Sequence, residues 1–423
     1  MTALKKIVLN LLLLPVVLCV WGWMLIRLRK VHRKQPNAYT DHPILIILSQ
    51  VAWDDVWQRP QEFAQRAARA GRRVIFCSPV PAHTWQLTMR NTWNAIREPV
   101  KGLTVLSPLV FGAQHRNEKI LRLNAMLVSG LLRPFLAHPF VIVANSPYMK
   151  PLADRLINAS PSNHHSRLAF DIIDDFTAFD WSAPFAREMQ DDLLSRADIV
   201  FTGTHELLEI ARSKRADAEF IACGVDFDMF GTSQAKNLPA DLAGIPHPIV
   251  GYTGSISERL DCELLTRIAR ELPNASLVMI GPVHPGTGEF PRGEKVHYLG
   301  LKPHSELPAY LRLFDVALIP FRINAATRKL NPVKTLEYLA AGVPVVSTPL
   351  PDVVRFFSDA VSIGKTHEEF IDNIRSSIVT PDVARRNRGF ELARRSSWDE
   401  MTRRMLERID QIIGAQGGEL KSG

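Results

Sequence analysis

The stretch Asn331–Thr348, NPVKTLEYLAAGVPVVST, constrains the fold more than any other part of the chain. Asn331-Pro332 is a helix-start signal with Pro near the first turn. Leu336, Leu339 and Ala340 then recur at helical spacing, Gly342 stops the helix, and Val345-Val346 opens a short apolar strand. The stretch reads as the helix and strand of an α/β unit. Lys334 sits where free backbone N–H groups, the positive dipole end and an ammonium converge into an anion site. Glu337 lies one turn further on a neighbouring face, and carboxylates commonly partner paired ribose hydroxyls. Lys and Glu so placed suit a nucleoside diphosphate, while a solvated Lys and Glu on an ordinary helix explain the same residues.

With 423 residues, 46% hydrophobic and 22% charged, the chain has room for two or three globular domains. The net charge of +8 suits anionic lipid or anionic ligands and is too weak to indicate nucleic acid. There is no zinc-type Cys/His spacing and no RNA-binding signature. Cys19, Cys77, Cys223 and Cys262 are scattered, as free thiols of a reducing compartment would be.

Ile7–Ile26, IVLNLLLLPVVLCVWGWMLI, is uncharged and long enough to span a bilayer. Lys5 and Lys6 precede it, and Arg27, Arg29, Lys30, Arg33 and Lys34 follow. The heavier basic flank places the main body in the cytoplasm, with Trp21 and Trp23 as interfacial aromatics and the basic segment on anionic headgroups. A cleaved signal peptide fits less well, because no small-x-small site precedes the basic cluster. Residues 1–34 are therefore expected to be an inner-membrane, single-pass anchor and its basic flank.

From residue 42 to 230 short apolar runs alternate with helical patterns. Ile44–Leu48, a helix over Pro60–Ala70 ending at Gly71, and Arg73–Cys77 form one β-α-β unit. Further strands are expected at Leu103–Leu106, Phe140–Ala144, Leu168–Ile173, Ile199–Thr202 and Glu219–Ala222. The rhythm is that of a doubly wound sheet, whose ligands bind outside the carboxyl ends of the strands. Three such ends carry polar groups: Asp54-Asp55 with Trp53 and Trp57, Asn145-Ser146, and Asp174-Asp175 with Phe176 and Phe179. The paired carboxylates suit acid/base work or a sugar hydroxyl, and helix capping accounts for them equally. Arg116–Leu136 mixes basic and apolar residues and reads as a buried helix with one basic edge, or as an interfacial helix.

Residues 231–247 read as a linker. Pro248–Thr253 restarts the strand rhythm, and the small-residue turn Gly254-Ser255-Ile256-Ser257 precedes a helix from about Asp261; glycine there lets backbone approach a phosphate. Arg259 follows closely. Strands are expected at Ser276–Ile280, ending at Gly281, at Val296–Leu299, and at Val316–Pro320. A polar loop over 321–330 follows, and Trp398–Ile413 forms a final amphipathic helix.

These motifs in this order resemble the GT-B glycosyltransferases, specifically the large retaining family 4 or group 1. The carrying residues are GVDFDMF (Gly224–Phe230), GYTGSISERLD (Gly251–Asp261), HYLG (His297–Gly300), DVALIPF (Asp315–Phe321) and NPVKTLEYLAAGVPVV (Asn331–Val346). WDDVWQRPQ (Trp53–Gln61) and DIIDDFTAF (Asp171–Phe179) are similar to the subset that builds bacterial surface polysaccharides, teichuronic-acid-type enzymes included. The resemblance implies an α/β GT-B fold: two doubly wound, Rossmann-like domains facing a cleft, behind one N-terminal transmembrane helix. The acceptor domain would be 42–230, the sugar-nucleotide domain 248–395, and 396–423 a helix crossing back to the first domain.

The resemblance also implies roles. Gly254, Ser255, Gly281, Leu299, Asn331, Lys334, Thr335 and Glu337 would bind a UDP- or GDP-linked sugar as substrate, with Glu337 on the ribose. Lys334 and Arg259 would stabilise the leaving diphosphate, and Asp175 is a further catalytic candidate with no base role assigned. Asp54, Asp55, Trp57 and Asp174 would face a lipid-linked or polysaccharide acceptor. No cofactor or metal is expected. One departure stands out: the family places an acid eight positions before the ribose Glu, and here that residue is Lys329. The expected function is sugar transfer at the cytoplasmic membrane face. The alternatives are a non-catalytic sugar-nucleotide-binding partner of a polysaccharide assembly complex and a sugar-nucleotide epimerase on the same scaffold.

Overall fold

The computed structural model describes residues 15, 19, 21–28, 42–54, 57–81, 95–161, 166–179, 181–232, 238–284, 289–325, 327–329 and 333–417. The chain forms two compact units, Met1–Ile221 with Thr402–Gly423, and Ala222–Met401.

The first unit contains β1 (Ile44–Leu48), β2 (Val74–Cys77), β3 (Val80–Pro81), β4 (Ile96–Val100), β5 (Leu103–Leu106), β6 (Leu109–Val110), β7 (Phe140–Ala144), β8 (Arg167–Ile172), β9 (Ile199–Thr202) and β10 (Glu219–Phe220). Eight of them form one sheet in the order β10-β9-β8-β7-β1-β2-β5-β4, while β3 and β6 pair separately. Every pairing in the large sheet is parallel except β4 with β5. The runs ILIIL, VIFC and FVIVA are buried throughout, as central strands covered on both faces must be. From β1 the chain winds outward through β2 and β5, then returns to the other side of β1 at β7 and winds outward through β8, β9 and β10. The winding direction therefore reverses between β1 and β7.

The helices of this unit are α1 (Arg59–Arg69), α2 (Glu118–Leu132), α3 (Lys150–Asn158), α4 (Phe185–Arg196) and α5 (His205–Arg212). Pro60 opens α1, and the positive φ of Gly71 follows its end. Asn117 caps α2 by accepting from the backbone N–H groups of Lys119 and Ile120, at 3.0 and 3.2 Å. Leu121, Ala125, Val128, Leu131 and Leu132 of α2 enter the core, whereas Leu123 and Met126 are exposed. The stretch Arg116–Leu136 is thus mostly a core helix, and Glu118–Ala137 is also long and apolar enough to cross a membrane by composition.

The second unit builds a parallel sheet from β11 (Ile249–Thr253), β12 (Ser276–Ile280), β13 (Val296–Gly300), β14 (Val316–Ile319), β15 (Val345–Ser347) and β16 (Ser362–Ile363), in the order β13-β12-β11-β14-β15-β16. Its helices are α6 (Cys262–Glu271), α7 (Leu307–Leu311), α8 (Val333–Ala340), α9 (Pro351–Phe357), α10 (His367–Val379) and α11 (Val383–Arg395). Winding reverses here between β11 and β14. The last helix, α12 (Trp398–Gly417), belongs to the first unit from Thr402 onward, where the Arg72 guanidinium pairs with Asp410 and Arg408 pairs with Glu219.

One expectation changes. The unit boundary falls at Ile221/Ala222, not after residue 230, and the stretch expected as a linker belongs to the second unit. Val225, Phe230 and Leu242 sit in that unit's core, and apolar residues so buried do not behave as a tether. At the N-terminus most of residues 1–34 lie outside the described residues. Residues 21–28 are helical, and Trp21, Met24 and Leu28 are buried in the first unit's core, the Trp21 indole N–H donating to the Leu109 carbonyl at 2.9 Å. This end of the apolar run is therefore packed on protein along one face.

One buried ion pair ties the first unit together. The Arg59 guanidinium grips Asp171 through Nε at 3.0 and 3.1 Å and Nη2 at 2.9 Å. It also donates to the Ile221 carbonyl at 2.5 Å. Both side chains are almost wholly buried. Arg59→Ala leaves the Asp171 carboxylate buried without its cation and is expected to cost about 3–5 kcal/mol in denaturant unfolding. A loss under ~1 kcal/mol would show that the pair contributes no more than a surface contact does.

Candidate active site

In the second unit, three adjacent strands end in glycines that crowd together. Gly254 follows β11 at φ +146, Gly281 follows β12 at φ +145, and Gly300 ends β13 at φ +69, a backbone region that L side chains rarely adopt. The Gly254 N–H donates to the Ile280 carbonyl at 2.8 Å, and the Gly281 N–H donates to the Gly300 carbonyl at 2.9 Å. A Cβ on Gly281 would lie 1.9 Å from the Gly254 carbonyl oxygen, and one on Gly254 would lie 2.7 Å from the Tyr252 hydroxyl. Only glycine lets these strand ends meet. Tyr252 braces the turn by donating to the Ser255 carbonyl at 3.1 Å. Leu299 is half-buried in β13, beside the Gly300 carbonyl used by Gly281.

Helix α8 is tied to the same strand ends. The Tyr338 hydroxyl accepts from the Thr253 N–H at 2.8 Å, at the end of β11. One turn earlier, Lys334 Nζ donates to Glu337 Oε2 at 3.0 Å and Oε1 at 3.3 Å. His304, in the segment after β13, brings Nε2 to 3.4 Å from Glu337 Oε1. Glu337 is 3% exposed. Burial pushes its carboxyl pKa up, but the Lys334 charge and the His304 contact outweigh this and hold it down at about 2. Thr335 is fully buried on the same helix, and its hydroxyl has no hydrogen-bond partner among the described residues. Arg259 follows the glycine turn in sequence, and its carbonyl accepts from the Arg322 N–H at 2.9 Å.

Of the residues expected to bind a nucleotide, Gly254, Ser255, Gly281, Leu299, Arg259, Lys334, Thr335 and Glu337 lie on the carboxyl-end side of one sheet. Asn331 lies outside the described residues, and so does the Lys329 side chain. Thr327 in the preceding loop is fully buried and used by that loop: it bonds to the Arg322 carbonyl, and its N–H donates to Asn324 Oδ1 at 3.0 Å. Lys334 and Glu337 were expected to serve different parts of a ligand, yet they pair with each other. An ammonium has three N–H donors, and this pair uses two, so one remains for a phosphate oxygen. His304, Tyr252 and Tyr338 were missed. The signal for His304 was its place just past a strand-ending glycine.

The first unit's acidic residues are largely engaged within the protein. Asp54 pairs with Arg97, the Trp57 indole N–H donates to Glu62 at 2.7 Å, and Asp55 lies outside the described residues. Asp174 accepts from the Asp175 N–H at 2.9 Å. Asp175, the further catalytic candidate, is buried and accepts from the Thr177 N–H at 3.0 Å and hydroxyl at 2.6 Å. That is the hydrogen bonding of a turn-forming Asp, and it speaks for capping. Trp53 is buried between Trp57 and Phe76. Among the described residues no group of three His, Cys, Asp or Glu side chains gathers as a metal site would.

Residues 247–378, which hold this whole constellation, match the family described as Glycosyl transferases group 1. They are a glycosyltransferase group 1 domain. A protein of Bacillus subtilis (strain 168) named as a teichuronic acid biosynthesis glycosyltransferase, TuaH, is 26% identical over 167 residues, covering 38% of this chain and 42% of its own length. The chain thus matches less than half of that relative. Sucrose-phosphate synthase from Thermosynechococcus elongatus shares the fold with a TM-score of 0.67 at 15% identity, over 88% of this chain and 100% of its own. Anabaena Alr3699/HepE, solved in complex with UDP and glucose, has a TM-score of 0.65 at 13% identity, over 88% of this chain and 100% of its own. The α/β architecture with parallel sheets is GT-B-like.

Two outcomes follow from the group 1 domain's geometry. Gly281→Ala should lower stability by more than ~1 kcal/mol, because strain at positive φ adds to the clash with Gly254, whereas Gly244→Ala, with open space around it, should be neutral; equal unfolding midpoints would remove the crowded-turn argument. Glu337 has a folded pKa near 2, below its ordinary 4.5. Its contribution to stability is complete above pH 4.5 and is lost as pH falls towards 2. Glu337→Gln should flatten the stability profile across that window, as read by urea unfolding at stepped pH.

Proposed function

We propose that the protein transfers a sugar from a nucleoside diphosphate sugar to a glycan or lipid-linked glycan. The observation that carries this reading is the buried Glu337 carboxylate, held ionised by Lys334 and His304 on a helix tied to the strand ends where the Gly254 and Gly281 backbones meet. An ionised carboxylate accepts from two ribose hydroxyls at once. As the bond between the anomeric carbon and the diphosphate breaks, negative charge grows on the leaving phosphate. Lys334, the N-terminal end of α8 and Arg259 would stabilise it. A UDP- or GDP-linked donor is the class we infer, supported by the UDP of the structurally similar Alr3699/HepE. Retention of configuration follows by analogy with the family. The match to TuaH supports an acceptor belonging to the bacterial cell envelope.

We further infer that the chain works at the cytoplasmic face of the inner membrane. The uncharged run Ile7–Ile26 and the basic residues Arg27, Arg29, Lys30, Arg33 and Lys34 support it. Lys329, in place of the family's acid, favours the second reading, a sugar-nucleotide-binding partner that performs no transfer.

A thermal-shift series of the full chain in detergent against UDP, GDP, ADP and CMP tests the donor site. One nucleotide should raise the melting temperature, and Lys334→Ala or Glu337→Ala should weaken its binding about ten- to a hundredfold, the size of a lost charged hydrogen bond. No shift with any nucleotide would overturn the site. Binding without nucleoside diphosphate release in native membranes would favour the non-catalytic partner.

A further inference from the structure

The first unit has a place of its own where the chemistry of a ligand can be read. Its winding reverses between β1 and β7, and a doubly wound sheet opens a crevice beyond the carboxyl ends of the two strands at such a reversal. Ser49-Gln50 follow β1 and Asn145-Ser146 follow β7, held side by side by the Asn145 N–H donating to the Leu48 carbonyl at 3.0 Å. Asn145 is 2% exposed; its amide nitrogen donates to Asp171 Oδ2 at 3.2 Å, and its Oδ1 has no partner among the described residues. Gln50 touches His115 through one end of its amide, and its Oε1 is buried without a partner among the described residues. Whichever way that amide is turned, one polar end faces away from His115. A buried amide and a half-buried one at the reversal point thus each keep a buried oxygen that no described residue meets, which folded chains rarely tolerate without a ligand or water to meet it.

Aromatic rings stand next to these amides. His115 meets Tyr148 edge-on at 4.8 Å and Trp181 at 5.3 Å. Trp181 stacks flat on Phe179, with centroids 5.2 Å apart and planes 10° from parallel, is tilted 30° from Tyr148 at 6.0 Å, and meets Phe176 edge-on at 6.4 Å. The Tyr148 hydroxyl is fixed by Ser182 at 2.9 Å and by the Ala183 N–H at 3.2 Å. Trp181 is nevertheless 38% exposed. A tryptophan held rigid by a stacked ring beneath it, with over a third of its surface left in water, is not a core residue.

We propose that this cluster is a carbohydrate subsite in which Trp181 receives the apolar C–H face of a sugar ring while Gln50 and Asn145 bond its hydroxyls. A pyranose is apolar on its faces and polar on its rim, and the site offers a flat ring beside unsatisfied amides in the same arrangement. The subsite rests on the glycosyltransferase reading for its role, as the place of the acceptor sugar. It moves acceptor recognition away from Asp54, Trp57 and Asp174, whose polar atoms bond within the protein, to residues that no comparison assigns.

Saturation-transfer NMR on the full chain in nanodiscs tests it, with methyl β-glycosides of glucose, N-acetylglucosamine and glucuronic acid, and with octyl β-glucoside below its micelle concentration. At least one glycoside should receive saturation at its ring C–H protons. Trp181→Ala should weaken binding about tenfold, Trp181→Phe should restore most of it because the stack survives, and Gln50→Ala should weaken it several-fold. The response to nucleotides should stay at the wild-type level in all three. Octyl glucoside binding far above methyl glucoside would mark a lipid-linked acceptor, and equal binding a free glycan. No signal from any glycoside, or a Trp181→Ala variant that binds like wild type, would overturn the subsite. Nucleotide binding without glycoside binding would sink the subsite and spare the proposed function, and glycoside binding without nucleotide binding would do the reverse.

Discussion

Parallel pairing is the constraint on which both units depend. A parallel strand cannot be reached by a tight turn, so each new strand requires a crossover, and every crossover starts from the same edge of the sheet. All the loops that leave carboxyl ends therefore gather on one side. Where the winding reverses, two of them diverge and leave a crevice. The reversal between β11 and β14 places Gly254 and α8 together, and the one between β1 and β7 places Gln50 and Asn145 together. The chemistry in each unit is found where the topology leaves space.

Each unit also buries a carboxylate against a cation, with different consequences. Asp171 is gripped by a guanidinium through several hydrogen bonds and further held by Asn145, so its acceptor capacity is largely used. Such a pair fixes β8 to α1 and stabilises the fold. Glu337 is met by one ammonium at 3.0 Å and by a histidine at the longer distance of 3.4 Å. It is ionised, oriented and incompletely coordinated. A carboxylate in that condition can take on ligand hydroxyls at little cost in reorganisation, which is the basis for placing it in a binding role.

The apolar runs were legible from the chain alone because period and length suffice for strands buried on both faces. Ile44–Leu48, Phe140–Ala144 and Ser276–Ile280 are found with the boundaries the pattern gives. The expected helix over Pro60–Ala70 is found one residue earlier, because Arg59 joins its first turn. Gly254, Gly281, Lys334 and Glu337 were legible because turns and helix starts leave local marks. The unit boundary was not, since Phe230 and Leu242 look like isolated apolar residues in a loop until the core they enter is seen. The paired acids of the first unit misled because a turn-forming Asp and a catalytic Asp carry the same letter, and only the Thr177 contacts to Asp175 separate them.

The amino-acid sequence by itself determined that this chain makes parallel α/β units, where their strands lie, and that one helix start carries a Lys and a Glu suited to a nucleotide. These follow from local rules: hydrophobic period, glycine tolerance for positive φ, and the dipole of a helix end. Only the tertiary structure decided that Lys334 and His304 share Glu337, that Arg59 meets Asp171 across 112 positions, and that Gln50, His115 and Trp181 stand at one strand reversal. Those meetings depend on strand order. Strand order is set by how whole faces pack, a property of the assembled sheet that no window of sequence contains.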